Sequence, residues 1–257
     1  MSDRYAARLT KLRLAIDKMN QFTNTEVTGR SNRFMSWKDL VVTPMVETVI
    51  LALSFFTVLF INRAISVSLL TKAVAFYIAM IVWTIIFLKI IRTVFPIKEG
   101  IYSYNEKPLA CYIWNLYTFL SIVNLSLLYS NCLVAIPFRK FFYQLLGSRI
   151  GKGVVTIAGK LLDPPLISLG DNVIIGEESI LMAHAHASTP SPVLVLGGIE
   201  IKNGALIGVR SIIMPGVIVG ENSMVNAMSL VPMNTKIPPN QIWGGNPAIK
   251  IADMSNP

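Results

Sequence analysis

The sequence predicts N-terminal transmembrane α-helices followed by a parallel β-helix of hexapeptide repeats. Three observations carry that prediction: a six-residue aliphatic beat in the C-terminal half, two long apolar stretches before it, and a chain that is 53% apolar with only 14% charged residues. The beat runs through Ile201, Ile207, Ile213, Val219, Val225 and Val231. Four residues after the first five stand Ala205, Ser211, Val217, Ser223 and Ser229, all small or β-branched. An earlier block has the same form, pairing Leu169 with Val173, Ile175 with Ser179 and Leu181 with Ala185. Glycine follows the aliphatic residue at Gly170, Gly176, Gly208 and Gly220. A period of six fits neither a helix nor a plain strand. It fits a chain laying three short strands per coil, with glycine at corners where a side chain would clash or a left-handed conformation is needed. Small inward residues suit a narrow prism that buries its core by stacking. Residues 145–240 are assigned to the solenoid. Its start, Ile150 to Ile167 with Pro164 and Pro165, reads as an imperfect first coil with a register change, and "IPPNQIW" opens a tail, 241–257, that folds back.

Residues 40–144 read as a membrane domain. Leu40–Ile61 and Ile65–Ile91 are nearly all apolar, and each exceeds the roughly 20 helical residues that cross a hydrocarbon layer. The low share of charge argues against a soluble bundle. The first run starts too far along and lacks a small-residue cleavage site, so it is not expected to be a removable signal. A third region, Leu109–Phe138, carries Asn115, Ser121, Asn124, Ser126, Ser130 and Asn131, each of which needs a partner in lipid. It reads as a full span, a bent hairpin in one leaflet, or an interfacial platform. Basic residues flank the first two runs, including Arg30, Arg33, Lys38, Arg92, Lys98, Arg139 and Lys140, whereas only Arg63 lies between them. The bias puts both termini in the cytoplasm and favours two spans with the third region re-entrant or interfacial. The expected location is a bacterial inner membrane with the solenoid on its cytoplasmic side.

Residues 1–39 form a basic segment whose first twenty residues predict an amphipathic helix with Leu9, Leu12 and Ile16 on one stripe. It lies on anionic lipid or packs on the protein. A net charge of +9 suits a cytoplasmic membrane face or phosphorylated ligands; no fold here supports nucleic-acid binding. Cys111 and Cys132 make no CxxC pair and read as small buried hydrophobes.

The chain has two histidines, and they stand together as His184–Ala185–His186. With Ala185 at the inward position of its hexad, alternation turns both rings outward. The beat then lapses from Ala187 to Gly198, a loop able to wall a groove beside the rings. Histidine titrates at about pH 6.5 and can take and return a proton near neutrality. At least one is expected to be a general base, the choice between them open; the plain alternative is a ring that bonds the next coil. Glu178 and Glu177 either orient a histidine or are surface corners. An amide near Gly197 or Gly198 is a candidate oxyanion donor.

The stretch Ile199–Ile249, with "IIMPGVIVGENSMVNAMSLV" and "GGNPAIKI", resembles the hexapeptide-repeat acyltransferases. Its closing Gly245–Asn246–Pro247–Ala248 is similar to the end of the solenoid in sugar O- and N-acetyltransferases. "KEGIY", Trp114 and "FRKFFYQLLGSRIGKG" more loosely resemble membrane-attached members and membrane modules of peptide-synthetase-like proteins. The resemblance implies a left-handed β-helix, a homotrimer with clefts between subunits, and transfer of an acyl group, usually acetyl, from coenzyme A to a hydroxyl or amine. It implies a histidine base and no metal. The later "HP" histidine of that family is missing here, so His186 or His184 must take the role, or the activity has been lost. For the donor, Gly208, Ala227 and Gly244 would let pantetheine approach the backbone. Arg210, Lys236 and Lys250 either meet the nucleotide phosphates or are ordinary solvated charge. Trp243 packs the last coil against the membrane platform or lines the pantetheine channel. The expected activity is acetyl-CoA-dependent O-acylation of a lipid-linked saccharide or surface-polysaccharide precursor. The alternatives are N-acetylation of an amino sugar or amine, and a non-catalytic membrane scaffold.

Overall fold

The computed structural model describes residues 37–106, 108–129, 134–153, 156–187 and 192–254; the basic N-terminal helix and Cys132 lie outside them. Two long helices, α1 (Trp37–Ala64) and α2 (Leu69–Val94), pack on each other. Ser68 starts α2 by accepting the Thr71 amide at 3.3 Å on its hydroxyl, a cap for one of the free first-turn donors. Both helices leave large apolar side chains exposed along their length, among them Phe55, Phe56, Phe60, Ile78 and Ile86. α3 (Leu109–Tyr129) lies against both and buries Trp114, Tyr117, Leu120 and Asn124. All three helices are long and apolar enough to cross a membrane. α3 is continuous from Leu109 to Tyr129. Its two asparagine amides find the partners that an apolar setting demands: Asn124 donates to Glu47 Oε2 and Thr84 Oγ1 at 3.0 Å each, and Asn115 to Asp39 Oδ1 at 3.2 Å.

A short helix, α4 (Ile136–Leu146), joins this bundle to the solenoid and ends on Gly147, whose φ of +114° suits glycine. Arg139, read from sequence as a topogenic charge, is only 1% exposed. Its guanidinium donates to the carbonyls of Ala158 at 2.9 Å, Tyr129 at 3.0 Å and Ile157 at 3.2 Å. Arg139 thus fastens the helices to the open end of the first coil, where carbonyls have no strand above them.

The rest is the left-handed parallel β-helix. One face stacks β2 (Arg149–Ile150), β5 (Ile167–Leu169), β10 (Ile199–Ile201), β13 (Ile218–Val219) and β16 (Lys236–Ile237). The second stacks β3 (Thr156–Ile157), β6 (Ile174–Ile175), β11 (Leu206–Ile207), β14 (Met224–Val225) and β17 (Gln241–Gly245), with β18 (Ala248–Asp253) folded back antiparallel on β17. The third stacks β4 (Lys160–Leu161), β7 (Ile180–Leu181), β12 (Ile212–Ile213) and β15 (Leu230–Val231). The beat residues fill the prism: Ile175, Leu181, Ile207, Ile213, Val219, Val225 and Val231 are fully buried. Buried serines between them bond carbonyls, Ser179 that of Gly176 and Ser211 that of Gly208, both at 2.7 Å.

Two readings of the coils are sharpened. The first coil is imperfect, as its sequence suggested: Ile150 lies beside Leu169, Ile157 beside Ile175 and Leu161 beside Leu181, but these partners stand 19, 18 and 20 residues apart where the regular coils keep 18, and a 3-10 turn follows at Pro164–Leu166. Of the two reasons offered for the beat's glycines, the clash holds and the left-handed conformation does not apply. A Cβ on Gly208 would lie 2.4 Å from the Ala227 nitrogen, and one on Gly220 2.5 Å from that of Pro239. They are glycines because the next coil leaves no room. The left-handed corners fall two residues later, at Asn172, Glu178, Arg210 and Asn222, where asparagine tolerates the conformation best.

Candidate functional site

The coil that leaves β7 buries Leu181 and Ala183 and then opens. Ala183, not Ala185, takes the inward place. His184–Ala187 departs as β8, which pairs antiparallel with β9 (Val193–Leu196). β1 (Gly100–Ser103) adds to the far side of β9. What the sequence shows as a lapse in the beat is a three-stranded antiparallel sheet, and both histidines lie on it rather than on a coil. Residues two apart on a strand share a face, so the two rings point the same way, with centroids 5.6 Å apart.

That face meets α3 and the turn before the 3-10 helix. His184 Nδ1 lies 2.7 Å from Asp163 Oδ2. Asp163, 4% exposed, also accepts the Ala183 amide at 3.1 Å on Oδ2 and the Trp114 indole N–H at 2.9 Å on Oδ1. The Trp114 ring packs at 4.8 Å from the His184 ring and 5.4 Å from the His186 ring. His186 Nδ1 has the Tyr104 hydroxyl at 3.4 Å. Burial first, then the neighbouring His184, lowers the His186 pKa against a smaller opposing pull from Asp163; a ring so placed is neutral at pH 7. Burial also raises the Tyr104 pKa, so its phenol keeps its proton. A groove of about 530 Å³ opens here, lined by His186, Tyr104, Trp114, Asp39 and Asn115 and, along α3, by Thr118, Phe119, Ile122 and Val123. A neutral imidazole at the end of an apolar groove can accept a proton from a bound hydroxyl or amine.

The other predicted residues fall elsewhere. Glu178 touches neither histidine; its carboxylate takes Arg210 Nε at 2.5 Å across two left-handed corners. Asp163 occupies the orienting place that the sequence reading gave to Glu178. Gly208 and Gly244 lie on either side of Asn226 in one column of successive coils, with Ala227 the next residue along and its nitrogen against Gly208. Arg210 follows on the same edge, and Lys250 joins it through the register of β18 with Trp243, though paired with Asp253 at 2.6 Å. Lys236 begins β16 on a different face. This column lies at the edge between the second and third faces, whereas the histidines leave the edge between the third and first. The Gly197 amide is occupied by the Ala183 carbonyl at 2.9 Å, and Glu99 covers Gly198; Gly197 is therefore not a free oxyanion donor. Trp243 stands on the last rung of its face, away from α4, and bonds Gln241.

The stacked three-faced coils with a six-residue repeat decide the family. This is a hexapeptide-repeat protein. No family model matches the sequence. The chain is 38% identical over 92 residues to mitochondrial gamma carbonic anhydrase 2 of Arabidopsis thaliana, covering 36% of this chain and 27% of that protein. It is 28% identical over 110 residues to YvoF of Bacillus subtilis, provisionally named an acetyltransferase, covering 43% of this chain and 60% of that one. Among solved structures, the Vibrio cholerae hexapeptide-repeat acetyltransferase VCA0836 in complex with acetyl coenzyme A is similar at 26% identity and a TM-score of 0.39, covering 43% of this chain and 62% of that one. The hexapeptide-repeat chain thus spans about a quarter of the length of the first of these relatives.

Proposed function

We propose that the protein is an acetyl-CoA-dependent O-acyltransferase that acts at a membrane on a lipid-linked saccharide or surface-polysaccharide precursor. The observation that carries this reading is the groove that joins the apolar flank of α3 to His186 and Tyr104. A soluble sugar has no use for Phe119, Ile122 and Val123, whereas a hydrocarbon tail lying along them leaves its headgroup beside the imidazoles. The name of the Bacillus subtilis relative points to the same chemistry.

In the reaction, the acceptor oxygen attacks the thioester carbonyl as a histidine takes its proton. A C–O bond forms, the C–S bond breaks, and the imidazolium returns the proton to the departing thiolate. The donor would lie along Gly208, Ala227 and Gly244, with Arg210, Lys236 and Lys250 as candidates for its phosphates. Because this column and the histidines leave different edges of one prism, a homotrimer supplies the missing neighbour: the histidines of one copy face the donor column of the next. α1 and α2 cross the bacterial inner membrane, α3 lies at its cytoplasmic interface, and the catalytic half is cytoplasmic.

Incubating the purified protein with radiolabelled acetyl-CoA and a bacterial lipid extract tests the reading. The expected product is a labelled lipid that releases its label in alkali, lost by at least about 100-fold when His184 and His186 are both replaced by alanine. Alkali-stable label would make the transfer N-acylation. Absence of label together with absence of coenzyme A binding would leave a non-catalytic membrane scaffold.

A further inference from the structure

We infer that Asp163 is a positioning residue that makes His184, rather than His186, the general base. The inference rests on the acyltransfer reading. It starts from the donors around one carboxylate. Asp163 is nearly sealed from water and receives three contacts: the Trp114 indole N–H at 2.9 Å, the Ala183 amide at 3.1 Å and His184 Nδ1 at 2.7 Å. The first two donors are fixed, one by a ring and one by backbone. An ionised carboxylate only accepts, so the 2.7 Å contact requires the proton of His184 to sit on Nδ1. That tautomer leaves the lone pair on Nε2, the state a base needs. When Nε2 takes a proton, the imidazolium forms against an anion already in place and already desolvated, so nothing has to reorganise.

Among the described residues, His186 makes no hydrogen bond to a carboxylate. Its described contacts are the Tyr104 hydroxyl at a long 3.4 Å and the rings of Tyr104, Trp114 and His184. No carboxylate in that set fixes its tautomer, and its place in the groove lining suits contact with the acceptor. Trp114 does two things for His184: it anchors Asp163 and packs its face at 4.8 Å from the ring. The constellation draws on α3, the first coil and the hairpin, so it closes only when the helical half is seated on the solenoid.

The chain's two histidines make a direct test possible in the full-length protein in nanodiscs. In His186→Gln, ring-labelled with nitrogen-15, the remaining ring should show a protonated Nδ1 and an unprotonated Nε2 at pH 8. A protonated Nε2 there would overturn the assignment, and this measurement needs no change at Asp163. Asp163→Asn should lower kcat for acetyl transfer from acetyl-CoA to the lipid extract by roughly 100-fold or more, with KM for acetyl-CoA within about twofold, as expected for a lost tautomer lock. An unchanged kcat, or a loss expressed only in KM, would also overturn it. A wild-type protein that transfers no acetyl group would sink the acyltransfer reading alone, since the ring tautomer reports on Asp163 without turnover.

Discussion

Along the regular coils, each inward residue stacks on its own kind. Leu169, Ile201, Val219 and Ile237 form one column and Ile175, Ile207 and Val225 another, and buried serines bond carbonyls in their own or the next coil. Around the hairpin nothing repeats. His184 depends on Asp163, His186 has Tyr104, and Trp114 packs on both rings. The coils are stabilised by sameness between neighbours, and the site by three unlike segments meeting once. Damage to the first should therefore appear in stability, and damage to the second in activity.

The largest expected effect tests the sameness. Val219→Asp places a carboxylate without a partner at a fully buried position between Ile201 and Ile237. The expected loss is upwards of about 4 kcal/mol, seen as the disappearance of the cooperative β-sheet transition in a circular-dichroism melt. A retained transition would mean that the column adapts and that sameness is not what stabilises it.

Next comes the joint between the two halves. Arg139→Met keeps the length of the side chain but leaves the carbonyls of Ile157 and Ala158 without their donor. About 1–3 kcal/mol should be lost, and limited proteolysis should cut first near α4. A loss confined to the last coils would place the joint elsewhere.

The smallest effect sharpens the comparison at the site. Burial and His184 hold the His186 pKa below its ordinary 6.5, so above that pH the ring is neutral in both the folded and unfolded states. As pH falls below 6.5, the unfolded chain binds a proton that the folded one resists, and stability declines until the lower folded value is passed. Urea titrations should show that decline in the wild-type protein and a shallower one in His186→Gln. Equal slopes would show that His186 is not the group responsible.

The repeat was legible because each hexad meets nearly the same surroundings, so local sequence and tertiary environment coincide from Ile201 to Val231. The same logic misplaced Ala185. It carried the small position of one hexad past the point where β8 leaves the coil, and the signal for the exit, four residues reading His-Ala-His-Ala, is also good strand sequence. The loop was expected at Ala187 and the groove beside it; what it contains is a sheet completed by Gly100–Ser103. Asn115 and Asn124 of the third apolar region were marked as needing partners and have them, but nothing local names Glu47, Thr84 or Asp39 as those partners.

Asp163 shows the limit most plainly. In "LLDPPL" an aspartate before two prolines reads as a turn residue, which it is. Only the seating of α3 on the first coil brings an indole to one of its oxygens and an imidazole to the other. By itself the sequence determined the two-part architecture, the coil period, the inward residues of the regular coils and the pair of histidines, since periodicity and hydropathy act between near neighbours. The tertiary structure decided which carboxylate faces His184, what lines the groove beside His186, and that Arg139 is a fastening rather than a surface charge. Those contacts join residues distant in the chain, and a short-range pattern carries no record of which distant surface will arrive.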